Sequence, residues 1–135
     1  SCGRCPGRYW RMNALAVAGG AAIGALLRWW LGLGLNAVWP MLPLGTLLAN
    51  WIGGYVIGVL AALVSLNAGI SEPMRLFLIT GLLGGLTTFS TFSLEAVTLL
   101  QRQLFGPALL HIGLHLGGSL LLTLAGYASV QAMRG

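Results

Sequence analysis

Four long apolar stretches constrain this chain more than any other feature of its sequence. They run over residues 13–35, 44–66, 74–100 and 107–133. A helix needs roughly 20 apolar residues to cross the hydrocarbon core, so each stretch is long enough to span a bilayer once. The connections between the stretches are short, which leaves no room for a separate soluble domain. The pattern predicts an all-α membrane protein with one four-helix transmembrane domain over residues 13–135.

The composition agrees with this class. The chain is 57% hydrophobic and 7% charged, whereas soluble domains contain about 45–50% apolar and about 25% charged residues. The formal net charge of +5 comes entirely from arginine, and the only acids are Glu72 and Glu95. Because the arginines mostly flank apolar stretches, they are predicted to anchor helix ends at lipid headgroups. We therefore expect a lipid bilayer, and no nucleic acid, as a partner.

Residues 1–12 are predicted to form an N-terminal tail that is disordered or not native. Met12 offers a translation start, in which case residues 1–11 are an extension. The tail carries a single C-x-x-C pair, Cys2 and Cys5, with no second pair and no nearby histidine, so a zinc site there is not supported. The first apolar stretch is too long for a signal peptide and has no small-residue cleavage site before a polar domain.

The third apolar stretch is interrupted by residues 84–93, with the sequence GGLTTFSTFS. Each glycine disfavours a helix by about 1 kcal/mol, and a carbonyl freed by unwinding finds no hydrogen-bond donor in hydrocarbon. Broken backbone at this depth is tolerated where it is buried in protein or lines a wet cavity. The interruption therefore predicts a broken third helix and an ion or substrate site.

Polar residues inside the other stretches recur at helical spacing. Thr46 and Asn50 are one turn apart in the second stretch, and every fourth position of the last stretch is polar, at His111, His115, Ser119 and Thr123. Steps of four keep residues on one helix face. Such residues can be hydrogen-bonding contacts between helices, each worth about 0.6–2 kcal/mol, or a polar track beside the broken helix. Four in register favour the track, with each histidine neutral and donating one hydrogen bond.

Two charged residues lie away from the ends of the apolar stretches, and each has more than one interpretation. Arg28 either extends to an interface or attracts anions into a vestibule. Glu95 lies at the mouth of the track, pairs with an arginine, or acts as a proton site. The sequence does not decide between these roles.

The arginine distribution leaves the membrane orientation open. Without the tail, one face carries Arg75 and Arg134 and the other carries Arg102. Such a small difference permits insertion in both orientations, and two opposite copies would then form an antiparallel pair. The arginines of the tail, counted on the first face, favour a single orientation instead.

The available polar groups favour an anion over a divalent cation as the ligand. Hydroxyl, amide and imidazole groups are donors, and there is no cluster of carboxylates of the kind that binds calcium or magnesium. Phe89 and Phe92 lie in the interruption, and the edge of a phenyl ring carries partial positive charge that suits a small anion. Ordinary packing remains an alternative role for both rings.

The interruption closely resembles the signature of the Fluc family of fluoride channels, also called CrcB. The resemblance extends over nearly the whole chain from Met12, and it agrees with the family in size and four-helix layout. Outside residues 84–93 it rests on Arg28-Trp29, Gly45-Thr46, Asn50, Ser119 and Thr123. Where members of the family have tyrosine, asparagine or serine, this chain has His111 and His115, and its tail has no counterpart.

The resemblance implies an antiparallel, dual-topology homodimer in the bacterial inner membrane, with two pores that let fluoride leave the cell. It implies that Asn50 donates to fluoride and that Phe89 and Phe92 present ring edges to it. It also implies a structural Na⁺ on the dimer axis, held by the main-chain carbonyls of Gly84 and Thr87 of both subunits. Further residues are expected along the fluoride path or, for the last two, near its entrance: Thr46, Ser90, Thr91, Ser93, His111, His115, Ser119, Thr123, Arg28 and Glu95.

The two histidines predict a fluoride current that depends on pH. Imidazole changes charge between neutral and mildly acidic pH in water, so protonation would alter the charge along the track. Fluoride flux through the reconstituted protein, measured at neutral and mildly acidic pH, tests this expectation. An unchanged flux would refute it.

Two other classes stay open beside the channel. A small dual-topology proton-coupled exporter also has four helices, but that class needs a carboxylate well inside its cavity, and Glu95 follows the interruption. A packing subunit of a larger membrane complex is the third possibility. We expect no enzyme, since Ser90 or Ser93 with His111 lacks the G-x-S-x-G context of a serine hydrolase.

Overall fold

The computed structural model describes residues 6–66 and 69–134, and this part of the chain is all-helical, with no β-strand. Four helical segments are long and apolar enough to cross a membrane, the third being Glu72–Gln101. This confirms the predicted four-span architecture. The third span contains two helices, so the elements are α1 (Pro6–Leu35), α2 (Leu44–Ser65), α3 (72–86), α4 (Phe89–Gln101) and α5 (Phe105–Arg134).

Two helices begin earlier than the sequence predicts. Helix α1 begins at Pro6, so residues 6–12, assigned above to a tail, continue the first span as helix. Cys2 and Cys5 lie outside the described residues. Helix α5 begins at Phe105, two residues before the predicted start at Pro107. A proline is tolerated in the first turn because the backbone N–H it lacks would have no partner within the helix.

The third span is broken where the sequence predicts. Helix α3 ends at Leu86, and Thr87 and Thr88 are extended, with ψ angles of 152° and 121°. The Thr88 side chain then caps α4 by accepting a hydrogen bond of 3.1 Å from the Thr91 backbone N–H. Within α3, residues Leu76–Leu83 form a π-helix, which the sequence did not predict. Such segments are rare and occur frequently at functional sites.

Glycines let α1 and α3 cross at backbone contact. A Cβ atom on Gly20 or Gly24 of α1 would meet main-chain atoms of α3, and a Cβ on Gly81 or Gly85 would meet main-chain atoms of α1. This is the close approach that glycines four residues apart permit. Gly58 and Gly54 of α2 approach the α5 backbone in the same way.

The glycine pair of α5 behaves differently. No described atom of another residue lies within 4 Å of a Cβ built on Gly113 or Gly117. Both glycines therefore line a face of α5 that the chain's own helices leave uncovered.

We expect Gly24→Ala to destabilise the protein relative to Gly34→Ala in the same helix. The added methyl group at position 24 would meet the Leu82 carbonyl oxygen and lie 2.7 Å from the Leu86 nitrogen, whereas position 34 has no neighbour within 4 Å. Overpacking typically costs about 1–3 kcal/mol, and both variants gain the same helix propensity. Thermal unfolding in detergent measures the difference; equal melting temperatures would contradict the prediction.

The connections are held by side-chain caps. The Ser71 hydroxyl accepts from the Met74 N–H at 3.3 Å, and a proline lies in the first turn of α3. Asn36 Oδ1 accepts from the N–H groups of Gly45 and Thr46 at 2.8 and 3.2 Å. The second cap was not predicted, and it determines where α2 begins and hence where Thr46 lies.

Candidate functional site

The Asn50 side chain holds the broken segment in place. Its Oδ1 accepts from the Thr88 N–H at 2.7 Å, and its Nδ2 donates to the Thr88 carbonyl at 3.1 Å. One side-chain amide thus satisfies both backbone groups of an extended residue, as a neighbouring strand would. Because hydrocarbon offers no substitute partner, this pairing explains how the span can be broken inside the membrane.

Asn50 also determines the tautomer of His115. Its Nδ2 lies 3.1 Å from His115 Nδ1. The bond between Oδ1 and the Thr88 N–H fixes the orientation of the amide, so Nδ2 is the donor and His115 Nδ1 the acceptor. The neutral ring consequently carries its proton on Nε2. At this contact His115 accepts a hydrogen bond, whereas the sequence predicted that it would donate one.

Glu95 meets Thr46 and His111. The Thr46 hydroxyl donates to Glu95 Oε2 at 3.1 Å, and Glu95 Oε1 lies 3.6 Å from His111 Nε2. Among the described residues, His111 is the only basic side chain near enough to Glu95 for an ion pair, so the expected arginine partner is not observed. The carboxylate therefore belongs to the same buried group of side chains as the histidines.

Phe92 packs against both imidazoles. Its ring centroid lies 5.3 Å from that of His111 and 4.7 Å from that of His115. Phe92 is 6% exposed, whereas Phe89 is 72% exposed and contacts Phe92 in an edge-on arrangement with centroids 5.5 Å apart. The two predicted rings therefore differ: one is buried among polar side chains, and the other lies on the surface of the single chain.

These contacts define an inner cluster of side chains from α2, α4 and α5. Its members are Thr46, Asn50, Phe92, Glu95, His111 and His115.

The remaining predicted hydroxyl residues lie outside the inner cluster. Thr91 and Ser90 contact the Thr88 hydroxyl at 3.2 and 3.3 Å, and Ser93 is exposed on α4. Thr123 donates to the carbonyl oxygens of Gly54 and Ser119, each at 2.9 Å. Thr123 therefore makes a contact between helices, which is the first of the two interpretations given above.

Arg28 has a role that the sequence did not reveal. Its Nε donates to the Gly85 carbonyl at 3.1 Å, in the last turn of α3. A cation is favourable at the C-terminal end of a helix, where unpaired carbonyls concentrate negative charge. The two roles considered above for Arg28, in a vestibule or as an interfacial anchor, do not include this contact. It joins residues that are 57 positions apart in the sequence.

The break frees carbonyl groups in and just after the last turn of α3, among them those of Gly84 and Thr87. In an unbroken helix the N–H groups of Thr88 and Thr91 would donate to the carbonyls of Gly84 and Thr87. Here the Thr88 N–H donates to Asn50 and the Thr91 N–H to the Thr88 hydroxyl. The carbonyls of Gly84 and Thr87 thus lose their intrahelical donors, and unwound carbonyls of this kind coordinate Na⁺ in membrane transporters.

A different group of residues could hold a metal ion through side chains. One ligand atom each of Glu95, His111 and His115 lies within 4.8 Å of the other two. The sequence did not predict this group, because Glu95 and the two histidines lie in different apolar stretches. The spacing of four residues between His111 and His115 was the available signal.

A cavity of about 450 Å³ opens beside the break. It is lined by residues of α2, of the broken segment and of α5, among them Asn50, Gly54, Thr88, Phe89, Phe92 and His115. It adjoins the inner cluster through Asn50, Phe92 and His115.

Four membrane spans with a clamped break and buried polar side chains define the class as a membrane channel or transporter. The profile of the family described as "CrcB-like protein, Camphor Resistance (CrcB)" matches residues 15–127. The chain belongs to the CrcB family.

Relatives of this chain carry the name fluoride-specific ion channel FluC. The one from Chromobacterium violaceum is 56% identical over 122 residues, which cover 90% of this chain and 97% of the relative. That from Pseudomonas paraeruginosa is 56% identical over 123 residues, covering 91% and 97%. That from Nitrosomonas europaea is 53% identical over 116 residues, covering 86% and 91%.

Proposed function

We propose that this protein is a passive, fluoride-selective channel of the bacterial inner membrane that lets fluoride leave the cell. The observation that carries the proposal is the Asn50 amide, which holds the broken third span beside the buried Phe92 ring. The names of the relatives supply the identity of the ion.

Conduction requires that the ion bind strongly enough to enter and weakly enough to leave, usually at several sites in sequence. Asn50 Nδ2 and His115 Nε2–H are donors at the inner cluster, and the edge of the Phe92 ring adds partial positive charge. Hydroxyl groups of Thr46 and Ser119 extend the proposed path along α2 and α5. Several weak donors in line suit passage better than one strong site.

We propose that the channel is an antiparallel homodimer with two pores at the subunit interface. The exposed Phe89 ring and the adjacent cavity lie on a surface that a second copy could cover. The uncovered glycine face of α5, at Gly113 and Gly117, offers a site for close approach by another helix. These features support an assembly in which Phe89 lines a fluoride path only after two copies associate. That path belongs either to its own subunit or to the partner.

We further propose that Na⁺ lies on the dimer axis, held by the main-chain carbonyls of Gly84 and Thr87 of both copies. Support comes from the lost intrahelical donors of these two carbonyls. The cation would supply positive charge to oxygen atoms that have no partner in hydrocarbon. Its role in this proposal is structural.

A proton-coupled exporter is the second candidate, because the Glu95 side chain is largely buried within the protein. Its side chain is only 16% exposed and faces His111. A carboxylate within the protein can carry a proton in transporters.

Fluoride efflux from liposomes distinguishes the candidates. Purified full-length protein is reconstituted with an internal fluoride load, and efflux is followed with a fluoride electrode before and after a potassium ionophore releases the membrane potential. If the protein is a passive channel, rapid fluoride efflux begins only when the ionophore lets potassium ions leave with the fluoride and so balance its charge. Efflux that instead requires an opposing proton gradient would favour the exporter, and no efflux would favour a packing subunit.

A further inference from the structure

The inner cluster contains buried polar atoms that the fold leaves unsatisfied. His111 and His115 are 0% and 3% exposed. Within the described ranges, four buried atoms have no hydrogen-bond partner: Glu95 Oε1, His111 Nδ1, His111 Nε2 and His115 Nε2. Buried polar atoms almost always have a partner, so four of them in one place indicate a ligand.

The donor set identifies the chemistry of that ligand. Two imidazoles and a carboxylate are the ligands typical of zinc and related divalent transition metals. His111 and His115 are four residues apart on α5, so both rings lie on one helix face. This spacing is also that of the two histidines in helical zinc motifs.

The distances agree with a metal site better than with a direct hydrogen bond. Glu95 Oε1 and His111 Nε2 are 3.6 Å apart, which is beyond a good hydrogen bond. Two ligands of a tetrahedral zinc, with bonds of about 2.0–2.1 Å, lie about 3.3 Å apart. Small side-chain movements would bring the three ligand atoms, now within 4.8 Å of one another, to that separation. Thr46 donates to Oε2, which orients the carboxylate and leaves Oε1 available.

We propose that Glu95, His111 and His115 form a binding site for a divalent transition-metal ion, with Zn²⁺ the best fit, and that the bound metal closes the anion path. The first part stands without the proposed function, and the second part rests on it. This site uses side chains and is distinct from the main-chain carbonyls of Gly84 and Thr87.

Asn50 links the metal to the path. His115 accepts from Asn50 at Nδ1 and carries its proton on Nε2. A metal on Nε2 displaces that proton and requires a protonated Nδ1, which needs an acceptor. Asn50 can offer Oδ1 only by turning its amide over, which gives up its bonds to Thr88. Metal binding therefore loosens the broken segment besides placing a cation in the path.

Direct binding is the first test. Zinc binding to the purified full-length protein is measured by equilibrium dialysis in a Cys2→Ser/Cys5→Ser background, which removes the only C-x-x-C pair. We expect one zinc per chain, with X-ray absorption showing two imidazole ligands and one carboxylate. His111→Asn and Glu95→Gln should each weaken binding by at least about 10-fold, while Glu72→Gln, the other carboxylate, should not. If the protein with the unchanged cluster binds no zinc, or binds it through ligands other than imidazole and carboxylate, the proposed site is wrong. This measurement does not depend on whether a variant folds.

Fluoride efflux tests the coupling separately. Added zinc should slow efflux, and His111→Asn should raise the half-inhibiting zinc concentration at least about 10-fold. If zinc binds with the expected ligands but efflux is unchanged, the coupling is wrong and the site stands. If the protein conducts no fluoride at all, the proposed function fails, whereas the binding measurement still decides the metal site.

Discussion

Asn50→Ala is expected to reduce fluoride efflux from liposomes by at least about 10-fold. A tenfold change corresponds to about 1.4 kcal/mol, which lies within the cost of one lost buried contact. The substitution removes the side-chain acceptor of the Thr88 N–H and a side-chain donor to the Thr88 carbonyl. Each group left unsatisfied in the interior costs about 1–3 kcal/mol. The break should consequently rearrange, and the acceptor at His115 Nδ1 loses its donor.

Two further variants interpret that result. Asn13→Ala, on α1 and away from the inner cluster, should conduct at the rate of the natural protein. Asn50→Asp keeps an oxygen for the Thr88 N–H but donates nothing to the Thr88 carbonyl, so it should also lose flux. A folded Asn50→Ala protein, as judged by size-exclusion chromatography, that still conducts at the natural rate would refute the role given to this amide.

Phe92→Leu is expected to reduce fluoride flux by about 10-fold or more. The substitution removes the partially positive ring edge. It also removes the aromatic contacts to both imidazoles, each worth about 0.5–1.5 kcal/mol. Leucine keeps an apolar side chain in this buried position but has no polarised ring edge. The ring stacks on His111 and His115 at centroid distances of 5.3 and 4.7 Å. The same liposome assay measures the flux.

The matched control is Phe105→Leu. Phe105 is the first residue of α5 and is 59% exposed, so it contributes no packing to the inner cluster. Its replacement should leave the flux unchanged. If Phe92→Leu conducts as well as Phe105→Leu, the Phe92 ring is only a packing residue.

Much of the architecture could be predicted because it depends on local sequence. The four spans follow from the lengths of the apolar stretches, and the break follows from adjacent glycines before a run of hydroxyl residues. Ser71 and Pro73 are local signals for the start of α3, since capping depends on residues within one turn. The close crossing of α1 and α3 was likewise visible in glycines four residues apart.

Other features could not be predicted because they depend on what another helix presents. The π-helical turns of α3 have no local signature. The early start of α1 was not predicted because residues 6–12 resemble a polar tail. Arg28 had several possible partners, and only the crossing of α1 over α3 selects the Gly85 carbonyl. An arginine was one of several roles open to Glu95 as a partner, and the packing of α4 on α5 brings it to His111 instead.

By itself, the sequence determined where this chain crosses the bilayer and where its third span breaks, because burial of apolar residues and the helix propensity of glycine act along the chain. The tertiary structure alone decided which polar groups meet. Asn50 and Thr88 are 38 residues apart, and Asn50 and His115 are 65 apart. Which donor lies opposite which acceptor depends on the rotation and depth of each packed helix, and the glycine contacts between backbones set both.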